Sequence, residues 1–134
     1  MELYLDSANL NEIEEGFKLG FLNGLTTTPT FMQKEGITDI DGTIVKLSKI
    51  VPVLQIEALG NSAEEVLAEA ERQLALGLDP KKTVFKIPVS LEGVRACRML
   101  RNEGMLVNVH LVYTLQIILS VKHSVLQICC LLKI

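Results

Sequence analysis

The chain has 134 residues, 49% of them hydrophobic and 22% charged, a size and composition that fit one folded domain and exclude a disordered chain. With a net charge of −3 it has no basic field to hold a nucleic-acid backbone, which removes that class of partner. Its three cysteines, Cys97, Cys129 and Cys130, have neither metal-site spacing nor the even count of a secreted disulfide framework.

Met1 to Asp6 has no basic region and no long apolar run, so no signal peptide is expected and a cytoplasmic setting is the default. Leu3 to Leu5 predicts a short strand ending at Asp6. Asn9 with Glu12 predicts a capping box opening a helix whose inner face is Leu10, Ile13 and Phe17, closed by Gly20. Gly24 to Thr28 predicts a second strand, halted by Pro29. A short helix is expected over Thr30–Lys34 and another from Asp41, with Ile44, Val45, Leu47 and Ile50 inward. Val51–Ala58 predicts a third strand. Ser62 with Glu65 predicts a second capping box, opening a helix through Val66, Leu67, Ala70 and Leu74 that Gly77 closes. Thr83–Ile87 predicts the fourth strand, stopped at Pro88. Ser90 caps a helix with Val94, Cys97 and Leu100 inward, closed by Gly104. Met105–Val112 predicts the fifth strand, and Leu115–Val121 the helix behind it. From Met105 onward the chain is rich in Leu, Val and Ile. Lys122 and His123 break it, so no stretch reaches the roughly 20 unbroken apolar residues of a membrane span.

Strands alternating with helices predict parallel strands joined by right-handed crossovers. Asp6, Thr28, Glu57, Lys86 and His110 each fall at or near a strand's C-terminal end, 22, 29, 29 and 24 residues apart. In a (β/α)8 barrel these side chains would converge on one mouth, where catalytic groups sit. An open α/β sheet also carries its site at strand C-termini. No Gly-rich dinucleotide fingerprint and no phosphate loop follows a strand.

Lys86 lies in Val84-Phe85-Lys86-Ile87-Pro88-Val89. Burial disfavours a charged amine, and a neutral one can attack a carbonyl to form a Schiff base. A structural ion pair with Asp6 or Glu57 is the competing reading, and the residues alone leave both open. Asp6 and Glu57 could move protons at a substrate hydroxyl and around an imine. Asp6 could equally be a helix N-cap, and Glu57 a solvated strand end. Thr28 could bond a substrate hydroxyl or simply end a β-branched strand. Alternation in Val107-Asn108-Val109-His110-Leu111 points Asn108 and His110 into the barrel, with Val107, Val109 and Leu111 toward the helices. His110 could also be a satisfied core histidine. Cys97 reads as a small core residue and Tyr4 and Tyr113 as packing groups. His123 has no assignment.

Four stretches together resemble one family: Met1-Glu2-Leu3-Tyr4-Leu5-Asp6-Ser7-Ala8, Gly24-Leu25-Thr26-Thr27-Thr28-Pro29-Thr30, Val84 to Val89, and Glu92-Gly93 with Glu103-Gly104. In order and spacing they are similar to the small transaldolases and fructose-6-phosphate aldolases. The resemblance implies a TIM (β/α)8 barrel and Schiff-base chemistry on a ketose phosphate, in carbohydrate and pentose phosphate metabolism, with no cofactor and no metal. It implies that Lys86 forms the imine at the ketose C2 carbonyl and that Asp6 takes the C4 hydroxyl proton. Glu57 would position a proton-carrying water, and Thr28, Asn108 and His110 would be substrate-binding positions, Thr28 where the family bonds the bound dihydroxyacetone unit and His110 where it helps to hold the water. Asn108 matches the family; Thr28 stands where the family has Asn, and His110 where it has Thr. The expected partners are a sugar phosphate and further copies of the chain in a homo-oligomer, with neither nucleic acid nor membrane.

The resemblance runs to about residue 122 and ends before the family's sixth strand and arginine-bearing phosphate site. A complete barrel takes about 250 residues, or about 200 at the low end. The expectation is therefore about five β/α units in residues 1–122, then an unrelated apolar tail over 123–134, as a frameshift would write. An inactive fragment, a half-barrel association module and a non-enzymatic sugar-phosphate binder are the alternatives. Asp6, Glu57 and Lys86 occurring together speak against the last, since binding alone needs no imine-forming amine.

Overall fold

A computed structural model describes residues 2–112. The expected helix at 115–121, Tyr113, His123, the Cys129–Cys130 pair and the tail lie outside the described residues. The elements are β1 (Tyr4–Asp6), α1 (Leu10–Lys18), β2 (Gly24–Thr26), α2 (Pro29–Lys34), α3 (Ile40–Ile50), β3 (Leu54–Glu57), α4 (Ala63–Leu74), β4 (Thr83–Pro88), α5 (Leu91–Asn102) and β5 (Leu106–His110). The five strands form one parallel sheet in the order β1-β2-β3-β4-β5.

Side-chain caps start the helices. Asn9, Thr28, Asp39, Ser62 and Ser90 each accept a hydrogen bond from a backbone N–H in the first turn, satisfying donors a helix cannot satisfy itself. The two expected capping boxes form only by half. The Glu12 carboxylate accepts from the Ser7 hydroxyl at 2.6 Å, and that hydroxyl accepts from the Asn9 N–H at 3.0 Å. Serine thus replaces the glutamate on the cap's own N–H. Glu65 accepts from the Asn61 N–H, one residue before the Ser62 cap. Gly104 ends α5 with φ 78°, where a Cβ would be strained.

Several strands are shorter than expected. Thr28 leaves β2 to cap α2, with Pro29 at the first helical position. Val51 caps the end of α3, and Pro52, which has no N–H to donate, precedes β3. Ile50 was expected inward, but it sits at the last turn of α3, 39% exposed. Leu111 was expected to face the helices. It instead follows β5 in a left-handed backbone, φ 61°, and is exposed.

Strand order equals chain order. Right-handed crossovers then put every helix on the same face of the sheet. The outward apolar residues Leu25, Leu54, Ile56, Phe85, Ile87, Val107 and Val109 belong to the hydrophobic core together with Ile13, Leu47, Ala70, Cys97 and Leu100, and Leu5 packs against it. Burial pushes the Cys97 thiol up to about 11, as suits a core residue. Among the described residues the opposite face carries polar side chains and no helix. A parallel sheet wound in one direction with one helical layer is the construction of the (β/α)8 barrel, and the described residues are a partial barrel of this type. Gly24 joins its first two strands: a Cβ there would meet the Tyr4 ring at 2.5 Å and the Val53 carbonyl at 2.6 Å. Among the described residues no helix is long and apolar enough to cross a membrane.

Candidate active site

Alternation along each strand fixes which side chains leave the core. Strand register places Asp6 beside Thr26, Thr26 beside Gln55 and Gln55 beside Val84. One step nearer the C-terminal ends, Glu57 lies beside Lys86 and Lys86 beside Asn108. His110 lies one step further, beside Pro88. Adjacent partners share a face, so these residues line the inner side of the partial barrel.

The middle of the inner face is closed to solvent. Thr26 is fully buried, Lys86 and Asn108 are 2% exposed and Gln55 is 3% exposed. The Asn108 amide donates from Nδ2 to Gln55 Oε1 at 2.7 Å. The side chains of Glu57 and His110 are nearly buried, with His110 Nε2 3.8 Å from Glu57 Oε1. That distance is too long for a hydrogen bond.

Four ionisable groups, Asp6, Glu57, Lys86 and His110, share one field. Burial pushes the Glu57 carboxyl above the usual carboxylate range; the Lys86 cation opposes the shift and the Asp6 carboxylate adds to it. Burial, with the Lys86 cation helping, pushes His110 down to about 4. The imidazole is therefore neutral at neutral pH, and its contact with Glu57 is not an ion pair. Glu57 is not the solvated strand end that was one reading of the sequence. Asp6 does not cap α1, because Asn9 and Ser7 do.

Glu57, Lys86, Asn108 and His110 thus come together across β3, β4 and β5, and Asp6 joins them through its charge. Thr28 stands apart at the top of β2, its Oγ1 accepting from the Phe31 N–H at 3.2 Å. It lines a cleft of about 270 Å3 shared with Glu57, Asp41, Glu69, Arg72 and Gln73. Arg72 bridges that cleft, donating to both oxygens of Asp41 and to Glu69. Among the described residues no group of three or more His, Cys, Asp or Glu is arranged to hold a metal ion.

Sequence reasoning missed Gln55, Thr26 and Gln73. Gln55 was readable: in Leu54-Gln55-Ile56-Glu57 the apolar residues alternate with polar ones, and the same period that marks Glu57 marks Gln55. Gln73 donates to the Glu57 carbonyl at 3.1 Å from the inner side of α4, a contact for which the helix sequence carries no signal.

A family model described as transaldolase/fructose-6-phosphate aldolase matches residues 3–126. A probable transaldolase of Syntrophobacter fumaroxidans is 39% identical over 127 residues, covering 91% of this chain and 56% of that protein. Probable transaldolase 2 of Bacillus anthracis is 34% identical over 119 residues, covering 85% of this chain and 53% of its own length. A probable transaldolase of Desulforudis audaxviator is 39% identical over 116 residues. The chain spans about half the length of the curated relatives it matches.

Proposed function

The chain belongs to the transaldolase/fructose-6-phosphate aldolase family, and from that premise we propose that it carries the Schiff-base centre of an enzyme acting on ketose phosphates. The observation that carries this reading is a lysine only 2% exposed, set between Glu57 and Asn108 on the inner face at the strand ends. A buried amine among acids is suited to attack a carbonyl and to have protons moved around the product.

In this reading Lys86 Nζ adds to the ketose C2 carbonyl, and water leaves to give the imine. The C3–C4 bond then breaks as Asp6 accepts the C4 hydroxyl proton, and the bond electrons move toward the imine nitrogen. An aldose phosphate departs and a dihydroxyacetone unit stays on Lys86. Glu57 holds the water that ferries protons, its raised affinity for a proton matching that task. Asn108 contacts the retained unit, and His110 helps to hold that water. The unit passes to an aldose phosphate in a transaldolase and is released in an aldolase. We assign the protein to cytoplasmic carbohydrate metabolism, working as a homo-oligomer, with residues 1–122 as the barrel portion and 123–134 as a separate tail.

Borohydride trapping with fructose 6-phosphate, read by intact mass and peptide mapping, tests the reading. A reduced adduct on Lys86 is expected. A folded sample that yields no adduct, or one on another lysine, removes it.

A further inference from the structure

We propose that His110 determines which carbonyl compounds reach Lys86: its imidazole, meeting Glu57 over β4, limits the bulk admitted to the amine; the use of this filter in catalysis rests on the imine reading above. Glu57 ends β3 and His110 ends β5, with β4 between them. The two outer strands are two spacings apart, or about 10 Å. Yet His110 Nε2 lies 3.8 Å from Glu57 Oε1. Side chains that close such a gap meet over the inner face of β4.

Register fixes where they meet. Glu57 is level with Lys86, and His110 with Pro88, one inward position nearer the mouth. The arch therefore crosses β4 on the mouth side of Lys86, along the route a carbonyl takes to Nζ. Both groups feel the Lys86 cation, as neighbours of the amine do. Lys86 is 2% exposed, and the side chains of His110 and Glu57 are 10% and 15% exposed. His110 Nε2 is buried and makes no hydrogen bond among the described residues, so the ring presents bulk toward Glu57. Its backbone is held by β4: the His110 carbonyl accepts from the Val89 N–H at 3.0 Å. A ring on a paired strand does not swing away with a loop, and side-chain rotation alone widens the opening. Narrow carbonyl compounds pass, and wide ones are held back.

The test labels the whole chain reductively with cyanoborohydride and either formaldehyde or benzaldehyde, and reads Lys86 and the exposed Lys49 by peptide mapping. The ratio of the two rates at one amine reports size, since the amine's own reactivity enters both. In the wild type the benzaldehyde-to-formaldehyde ratio at Lys86 is about tenfold or more below that at Lys49. His110→Ala raises the Lys86 ratio about tenfold, and His110→Phe, which keeps a ring, leaves it within about twofold of wild type. Circular dichroism confirms that each variant is folded. A wild-type ratio at Lys86 equal to that at Lys49 overturns the proposal without any variant. So does a His110→Ala ratio like that of the wild type, or one matched by His110→Phe, or a Lys86 that neither probe labels in His110→Ala. If fructose 6-phosphate leaves no adduct on the folded wild type, the imine reading fails, and the ratio still decides the filter.

Discussion

Phe85 and Lys86 are neighbours in β4 and equally hidden, at 1% and 2% exposed, yet they belong to different parts of the molecule. Phe85 faces the helices among Ile56, Ile87, Val107 and Val109. Lys86 faces the other way, in a row with Glu57 and Asn108. The outer face gains from burial whatever the detailed geometry, since apolar contact is non-directional. The inner face gains nothing from burial itself. Each of its polar groups needs a partner or a use, and that requirement makes it readable as a site.

Substitutions on the two faces should fail in different ways. Lys86→Met should abolish the trapped adduct completely while the chain stays folded; a surviving adduct of unchanged mass would move the chemistry elsewhere. Glu57→Gln keeps the shape and removes the ionisable carboxyl. Turnover in an aldol cleavage assay should fall by about 10²–10⁴-fold, and a fall below about tenfold would leave Glu57 without a proton-transfer role. Phe85→Ala should instead unfold the chain more easily, by about 3–5 kcal/mol in denaturant titration, and each molecule still folded should keep its Lys86 reactivity.

A fourth prediction uses pH. Unfolded His110 takes a proton below about 6.5, whereas the folded imidazole resists until about 4. Between these values the unfolded state binds more protons, so stability falls as pH falls through that window. Glu57 works in the opposite direction. Its folded carboxyl keeps a proton above 4.5 where the unfolded one ionises, so its contribution declines as pH rises past 4.5. His110→Asn should therefore flatten the melting temperature between pH 6.5 and 4; an unchanged slope would show that another group dominates there. The smallest effect belongs to the surface. Asp41→Asn breaks an exposed pair with Arg72 and should cost less than about 1 kcal/mol, read as a small shift in the same melts.

The outer face was legible in the sequence because it depends on periodicity. Leu25, Ile56, Phe85 and Val107 stand out in any strand with period two, and capping residues mark where α1, α4 and α5 begin. Element ends were less legible, since they depend on which donor reaches which cap. The Ser7 hydroxyl displaced Glu12 from the Asn9 N–H, and Thr28 was drawn from a strand into a helix cap. On the inner face, Glu57, Lys86, Asn108 and His110 were each visible as polar residues at strand ends. Their mutual arrangement was not, because it follows from strand register. Gln55 was readable as an inward polar residue by the same period, but its bond to a residue 53 positions away was not.

The order of the strands also governs when the molecule can form during synthesis. Each strand pairs with the one made just before it, across intervals of about 20 to 30 residues. At roughly 5–20 residues per second, each new strand leaves the ribosome a few seconds after its partner, with its docking edge already in place. Among the described residues no strand waits for a distant segment, so the apolar helical layer can be covered in step with translation.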